Sequence, residues 1–182
     1  MRVPFGGRFS KAAFAGVCVI MLAAIGVVVG LLVASRVPVG VAVGERAPDF
    51  SLEHLISNRP VSLKEFRGNV VILLFWQSTC PDCRLAMPYF QELLDAYGSQ
   101  GLVVLGVDLD RDPNQARSYL EEHGYTLIPL WGSYEEAMSI VELFQVPLVP
   151  HAILIDKKGI IRFRGTFPDL PSTAEIEKWL SR

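Results

Sequence analysis

At 182 residues, the chain is long enough for one domain with an appendage but short for two hydrophobic cores. Its formal net charge is -2 and its basic residues are spread along the chain, so nucleic-acid binding is not expected. The mean hydropathy of +0.34 is high for a soluble domain. Because the apolar excess lies before residue 45, it indicates a membrane segment.

An uncharged segment near the N-terminus predicts a transmembrane helix that anchors the chain. Residues 12–34 contain no charged side chain and no proline, and as a helix they would extend roughly 34 Å, enough to cross a bilayer. Basic residues precede this segment without an acid, whereas only Arg36 follows closely. Residues 1–11 should therefore stay in the cytoplasm, with the following domain on the extracytoplasmic side of the cell membrane. A cleaved signal peptide is the alternative, although its apolar region usually spans only about 7–15 residues.

The chain after the anchor divides into a linker and one folded domain. Residues 35–46 contain proline, glycine and small valines without helical or alternating periodicity, which is typical of a tether. Residues 47–182 carry the periodic patterns and form the predicted domain.

In the first half of this domain, a buried strand leads directly into a helix. Residues 50–63 alternate loosely around a turn and predict two short strands. Val70–Trp76 is a continuous apolar run rich in β-branched residues, typical of a buried central strand. Pro81–Tyr97 repeats its apolar residues at helical spacing until Gly98, with Pro88 inside the helix.

The second half alternates strands with helices and ends in a hairpin. The predicted strands are residues 102–109, 127–131, 151–155 and 160–164. Helices are predicted to begin after the capping residues Asp112, Ser133 and Ser172. This order predicts an α/β fold: a mixed sheet, parallel in its first part and antiparallel at its end, with helices on both faces.

Two cysteines separated by two residues begin the first helix and predict a redox site. At this position, the sulfur atoms of Cys80 and Cys83 can approach within about 2 Å when oxidised. Unpaired peptide N–H groups and the positive end of the helix dipole stabilise the Cys80 thiolate, so the pKa of Cys80 is expected below about 8.5. Cys80 is therefore predicted to attack disulfides, and the shielded Cys83 to resolve the mixed disulfide.

Two other uses of a cysteine pair stay open from the residues alone. A structural zinc site normally takes four ligands, and the chain offers no second cysteine pair, only the isolated His54, His123 and His151. A purely structural disulfide suits a protein outside the cytoplasm, but so short a loop restrains the unfolded chain less than a long one. We expect neither a metal nor a cofactor at this site.

Several short motifs follow one another from about Gly44 onward. They are Ala47-Pro48-Asp49-Phe50-Ser51-Leu52, Phe75-Trp76, Cys80-Pro81-Asp82-Cys83-Arg84, Met87-Pro88, Val149-Pro150, and Ile153-Leu154-Ile155-Asp156 with Gly159. Together these motifs resemble the thioredoxin-like family, specifically its TlpA/ResA-type membrane-anchored thiol–disulfide oxidoreductases. The resemblance implies a thioredoxin-like fold that exchanges disulfides through its dithiol.

The resemblance also assigns residues that would bind a substrate. Pro150 looks like the family's cis proline, packed beside the dithiol and leaving the backbone of Val149 free to pair with a substrate. Pro147 is the competing candidate for that proline. Trp76 looks like the tryptophan that flanks the active site, with packing at the strand end as the alternative, and Pro81 lies between the cysteines.

Three positions depart from the family pattern. Thr79 stands where the family often has a second tryptophan before the first cysteine. Leu74 and Ala86 stand where thioredoxins and the TlpA/ResA branch, respectively, carry a carboxylate. The second cysteine therefore lacks both expected proton acceptors. The groups left to accept its proton are water, Asp82 and His151.

The resemblance implies an extracytoplasmic enzyme that reduces disulfide-containing proteins, with cytochrome c maturation as one setting and a membrane or extracytoplasmic dithiol as electron donor. A peroxiredoxin-like peroxidase is one alternative, but its catalytic cysteine needs a threonine or serine three positions earlier, where Gln77 stands. A copper-binding assembly chaperone is another, with Cys80, Cys83 and His151 as ligands.

Overall fold

The computed structural model describes Met21 and residues 37–182. Apart from Met21, the predicted anchor at residues 12–34 lies outside the described residues, and so does the alternative signal-peptide cleavage site. None of the helices in the described part of the chain combines the length and the apolar composition of a membrane span. Pro38–Arg182 forms one compact unit, and it carries every strand and helix named below.

Seven strands and four α-helices are present in this unit. In chain order they are β1 (Ser51–His54), β2 (Pro60–Ser62), β3 (Val70–Trp76), α1 (Pro81–Tyr97), β4 (Leu102–Asp108), α2 (Pro113–His123), β5 (Ile128–Trp131), α3 (Tyr134–Leu143), β6 (His151–Ile155), β7 (Ile161–Thr166) and α4 (Thr173–Leu180). Short 3-10 helices occupy Leu63–Phe66 and Gly98–Gln100. Each strand and helix predicted within residues 47–182 has a counterpart here, so these predictions are confirmed.

The strands form one mixed sheet in the order β2-β1-β5-β4-β3-β6-β7. The pairs β3–β4 and β4–β5 are parallel, and the other neighbours are antiparallel. The sequence predicts a sheet that is parallel in its first part, and this holds for β3, β4 and β5. The antiparallel pairing of β1 and β2 is a correction. A short turn joins these two strands, and only antiparallel strands can be joined by so short a connection.

The two faces of β3 belong to separate hydrophobic layers, because successive side chains of a strand point to opposite faces. Leu74 and Trp76 share one buried cluster with residues of α1, α2 and α4. Leu73 and Phe75 belong to the other cluster, together with residues of α3 and of the segment before β1. Helices therefore cover both faces of the sheet, as predicted.

Residues 38–46, predicted as part of the linker, pack against the edge of the sheet. The Gly44 N–H donates to the Ile161 carbonyl at 2.8 Å, and the Ile161 N–H donates to the Glu45 carbonyl at 2.9 Å. The Arg164 guanidinium also donates to the Val41 carbonyl. The linker prediction is corrected for these residues, since they supply partners for the otherwise unpaired edge strand β7.

Candidate active site

Cys80 and Cys83 lie at the junction where β3 ends and α1 begins. Cys80 is the N-cap of α1, and Pro81 follows as its first residue, where the missing N–H of proline costs little. The Cys83 N–H donates to the Cys80 sulfur at 3.3 Å. Both cysteines are free thiols, so the structure shows the reduced dithiol.

The two thiols differ sharply in their surroundings. Cys80 is half-buried, whereas Cys83 is only 1% exposed and lies in the apolar cluster beneath α1. Burial raises the pKa of the Cys83 thiol far above its ordinary value, and its interaction with Cys80 raises it further. Cys83 is therefore a thiol at neutral pH, and Cys80 is the sulfur that a partner can reach. Stabilisation of the Cys80 thiolate by the helix start stays a prediction.

The loop before β6 brings a cis proline beside the dithiol. The Val149–Pro150 peptide bond is cis, and the one before the competing Pro147 is not. The Cys80 thiol lies 3.8 Å from the Val149 carbonyl oxygen, to which it donates. The Val149 N–H donates to no backbone carbonyl of the described residues. Pro150 is buried, while Val149 is half-buried and Pro81 is exposed. The contact of all three with a substrate stays a prediction.

Trp76 does not reach the surface of the site. Its side chain is 0% exposed, and its ring packs against that of Tyr119 in α2, with centroids 5.9 Å apart. The prediction that Trp76 binds substrate is therefore wrong for this structure, because the side chain lies beneath the covering helices. Its alternative, packing at the strand end, is confirmed.

His151 lies on the other face of the sheet from Cys83. It pairs with Phe75 across β6 and β3, so its side chain points to the layer covered by α3. Its Nδ1 hydrogen-bonds the Thr166 hydroxyl at 2.9 Å. Burial, with a contribution from the Arg164 charge, lowers the pKa of His151 to about 4. His151 therefore does not join the two cysteines as a copper ligand, nor does it face Cys83 as a proton acceptor.

Leu74 and Ala86 lie in the same buried cluster as Cys83. Each is 1% exposed. The positions at which the resemblance expects a carboxylate are thus close to the second cysteine and apolar. Within the described part of the chain, no group of three or more His, Cys, Asp or Glu side chains could hold a metal ion.

Two acidic residues that the sequence analysis did not single out lie beside the junction. Asp108 ends β4 directly opposite Trp76 of β3. The Asp110 carboxylate accepts a hydrogen bond from the Ser78 N–H at 3.0 Å. The signal that could have identified them is an aspartate at the end of an otherwise apolar strand, followed two residues later by another.

The family model that matches this chain spans both cysteines and the cis proline. The match is to the AhpC/TSA family over residues 43–164, more than half of the chain. The chain belongs to the AhpC/TSA family. The match begins in the segment packed against β7 and ends within β7 itself.

Relatives of this AhpC/TSA chain are named thiol–disulfide oxidoreductases. It is 31% identical over 116 residues to the thiol-disulfide oxidoreductase ResA of Geobacillus thermodenitrificans, and the aligned region covers 64% of each chain. It is 28% identical over 113 residues to ResA of Bacillus anthracis, which covers 62% of this chain and 63% of that one. The similarity therefore spans slightly less than two thirds of the length of these relatives.

A solved structure shows the same fold. The thioredoxin domain of a thiol-disulfide oxidoreductase from Bacteroides vulgatus is 25% identical and superposes with a TM-score of 0.67, covering 75% of this chain and 94% of that one. The resemblance to the thioredoxin-like family and its α/β fold with a mixed sheet is confirmed.

Proposed function

We propose that this AhpC/TSA chain is a thiol–disulfide oxidoreductase that reduces disulfides of protein substrates through Cys80 and Cys83. The observation that carries the proposal is the asymmetry of the dithiol: an accessible sulfur at a helix start, with a buried thiol one turn behind it. The names of the relatives agree with this activity.

The reaction consists of two exchanges. The Cys80 thiolate attacks one sulfur of the substrate disulfide, so a Cys80–substrate bond forms, and the other substrate sulfur leaves as a thiolate that solvent protonates. Cys83 then loses its proton and attacks the Cys80 sulfur, which releases the second substrate thiolate and forms the Cys80–Cys83 disulfide. Two electrons pass to the substrate, and an external dithiol donor reduces the protein again.

The surface around Cys80 suits an extended polypeptide. The free N–H of Val149 can donate to a substrate carbonyl, as in other pairings of an extended peptide with exposed backbone. Leu148, beside it in the same loop, is 58% exposed, and Leu85 of α1 is 67% exposed. These apolar side chains suit a protein substrate that presents its disulfide in an exposed segment.

The proposed location is the extracytoplasmic face of the membrane, with residues 12–34 as the anchor. The charge asymmetry around this segment supports that orientation. Disulfides persist in such compartments, so a protein that reduces them has substrates there. Cytochrome c maturation is the proposed setting, because haem attachment to paired cysteines requires reduced thiols.

The test is reduction of insulin by the whole chain, with dithiothreitol as the electron source. The wild type should turn over many times, and Cys80→Ser should fall to the uncatalysed rate. Cys83→Ser should stop at a mixed disulfide through Cys80. The matched control is Cys18→Ser, which removes the remaining cysteine of the sequence and should keep full activity.

Two outcomes would overturn the proposed function. Stoichiometric retention of Cu(I) without insulin reduction would favour the copper-binding chaperone. Rapid consumption of hydrogen peroxide without insulin reduction would favour the peroxidase.

A further inference from the structure

The acidic pair formed by Asp108 and Asp110 is buried yet incompletely hydrogen-bonded. Asp108 is 0% exposed and Asp110 is 4% exposed. The Asp110 N–H donates to Oδ1 of Asp108 at 3.0 Å. Oδ2 of Asp108 and Oδ1 of Asp110, however, have no partner among the described residues. A buried polar atom without a partner costs folding free energy, so packing alone gives no reason for these two.

Asp108 lies on the same face of the sheet as Cys83. It is directly opposite Trp76 in the parallel register of β3 and β4, and side chains paired in this way share a face. Trp76 and Cys83 belong to one buried cluster. The indole nitrogen of Trp76 lies over β4, 3.0 Å from where a Cβ at Gly106 would be, and its N–H also lacks a partner among the described residues. A donor and an acceptor without partners thus belong to the paired residues Trp76 and Asp108, on the side of the sheet where Cys83 lies.

Hydrogen bonds join the acidic pair to the segment that leads into the dithiol. Oδ2 of Asp110 accepts from the Ser78 N–H at 3.0 Å, and the Ser78 carbonyl accepts from Nε of Arg84 at 2.7 Å. The carbonyl of the preceding residue, Gln77, accepts a hydrogen bond from the Cys80 N–H at 3.2 Å. Successive residues of one short segment therefore hold the start of α1 and the Asp110 carboxylate.

The charged and titratable side chains around this buried cluster lie mainly on the two helices that cover it. Cys83 of α1 and Tyr119 of α2 belong to the cluster, and the ring of Tyr119 contacts the exposed Arg84 guanidinium at 5.2 Å as well as His123 and Tyr125. The neighbouring strands β3 and β5 contain no titratable residue. Burial, with the negative charge of Asp110, raises the pKa of Asp108 to about 8. Asp108 is therefore mostly protonated at neutral pH.

We propose that Asp108, positioned by Asp110, takes the proton of Cys83 when Cys83 resolves a mixed disulfide. A water bound by the unpartnered atoms of Asp108, Asp110 and Trp76 is the proposed relay, since buried waters typically make about three hydrogen bonds. This proposal rests on the function proposed above.

The proposed step balances as a proton transfer coupled to disulfide exchange. The S–H bond of Cys83 breaks and its proton passes to ionised Asp108, while the Cys83 sulfur attacks the Cys80 sulfur of the mixed disulfide. The substrate thiolate leaves and is protonated by solvent, and Asp108 then returns its proton to solvent. A carboxylate with a raised pKa suits this role, because it is a stronger base than an ordinary aspartate.

The test is stopped-flow measurement of mixed-disulfide resolution by the whole chain between pH 6 and 9, with the preceding attack by Cys80 timed separately. In the wild type, the resolution rate should rise with pH through a midpoint near 8. Asp108→Asn should lose this rise and resolve at least about tenfold more slowly at pH 8.5. Asp110→Asn removes a neighbouring negative charge, so it should move the midpoint down by about one unit.

The matched control is Asp112→Asn, at the exposed N-cap of α2, which should leave the rate and midpoint unchanged. A wild-type rate and midpoint in Asp108→Asn would overturn the proposal. If Asp108→Asn does not fold, an unchanged midpoint in Asp110→Asn would overturn it instead. Failure of the wild type to form any mixed disulfide would contradict the proposed function itself, which distinguishes the two failures.

Discussion

Two buried titratable residues, Asp108 and His151, lie on opposite faces of the same sheet. The pKa of Asp108 is raised from 3.8 to about 8, and the pKa of His151 is lowered from 6.5 to about 4. Both shifts have the same main cause, since an apolar layer disfavours the charged form of either group. The two residues therefore give the stability of the fold opposite dependences on pH.

Together, these two groups should leave the stability of the protein nearly level between about pH 4 and pH 6.5 and lower it as pH rises from about 6.5 to about 8. Folded Asp108 holds its proton more tightly than the unfolded chain does, so the free energy of unfolding falls as pH rises from about 4 to about 8. Folded His151 holds its proton less tightly, so the free energy of unfolding falls as pH drops from about 6.5 to about 4. The free energy of unfolding of Asp108→Asn, measured relative to that of the wild type, should therefore be higher at pH 8.5 than at pH 5. The expected increase is on the order of 2–4 kcal/mol.

Urea unfolding of the whole chain under reducing conditions measures this difference. Asp112→Asn is the control, because its side chain is exposed and asparagine also caps a helix, so its effect should be equal at both pH values. An Asp108→Asn effect that did not change with pH would contradict the protonated state assigned to Asp108.

At the scale of elements, the helix starts follow from short-range hydrogen bonds. At the start of α3, the Glu136 N–H donates to the Ser133 hydroxyl at 3.3 Å, and the Ser133 N–H donates to the Glu136 carboxylate at 2.8 Å. Both partners lie within three positions of each other, so the pattern predicts the helix start without knowledge of the fold.

Removing this cap should weaken the domain measurably. Ser133→Ala should lower the free energy of unfolding by about 1 kcal/mol, because the Glu136 N–H at the start of the helix loses its hydrogen-bond acceptor. Ser139→Ala is the matched control on the same helix, since its exposed hydroxyl only donates to a carbonyl one turn back, and it should stay within about 0.5 kcal/mol of the wild type. Urea unfolding that showed equal losses for both variants would contradict the role of the cap.

The features that the sequence did not predict depend on contacts between distant segments. Strands and helices have local signals, and Cys80 and Cys83 could be located because their motif lies at a predicted strand–helix junction. The burial of Trp76 depends on how α1 and α2 cover β3, and the position of Asp108 beside it depends on the register of β3 and β4. The cis bond before Pro168 likewise has no local signal that we identified.

At the scale of the whole domain, the site lies at the carboxyl ends of the parallel strands. The parallel strands β3 and β4 end at the same level, which brings the dithiol junction and Asp108 together, and antiparallel β6 begins there with the cis Pro150. Ligand sites of sheets with parallel strands commonly lie at these carboxyl ends. Cys80 and Cys83 are held in a single junction by this arrangement, so they should act as one redox pair.

A redox titration of the whole chain tests that claim most directly. The protein is equilibrated with mixtures of reduced and oxidised dithiothreitol, its free thiols are alkylated, and each cysteine is assigned by mass spectrometry. Cys80 and Cys83 should oxidise together to one intramolecular disulfide, in a single two-electron transition with a slope of about 30 mV per tenfold change. Separate transitions for the two cysteines, or oxidation without a Cys80–Cys83 disulfide, would contradict the account.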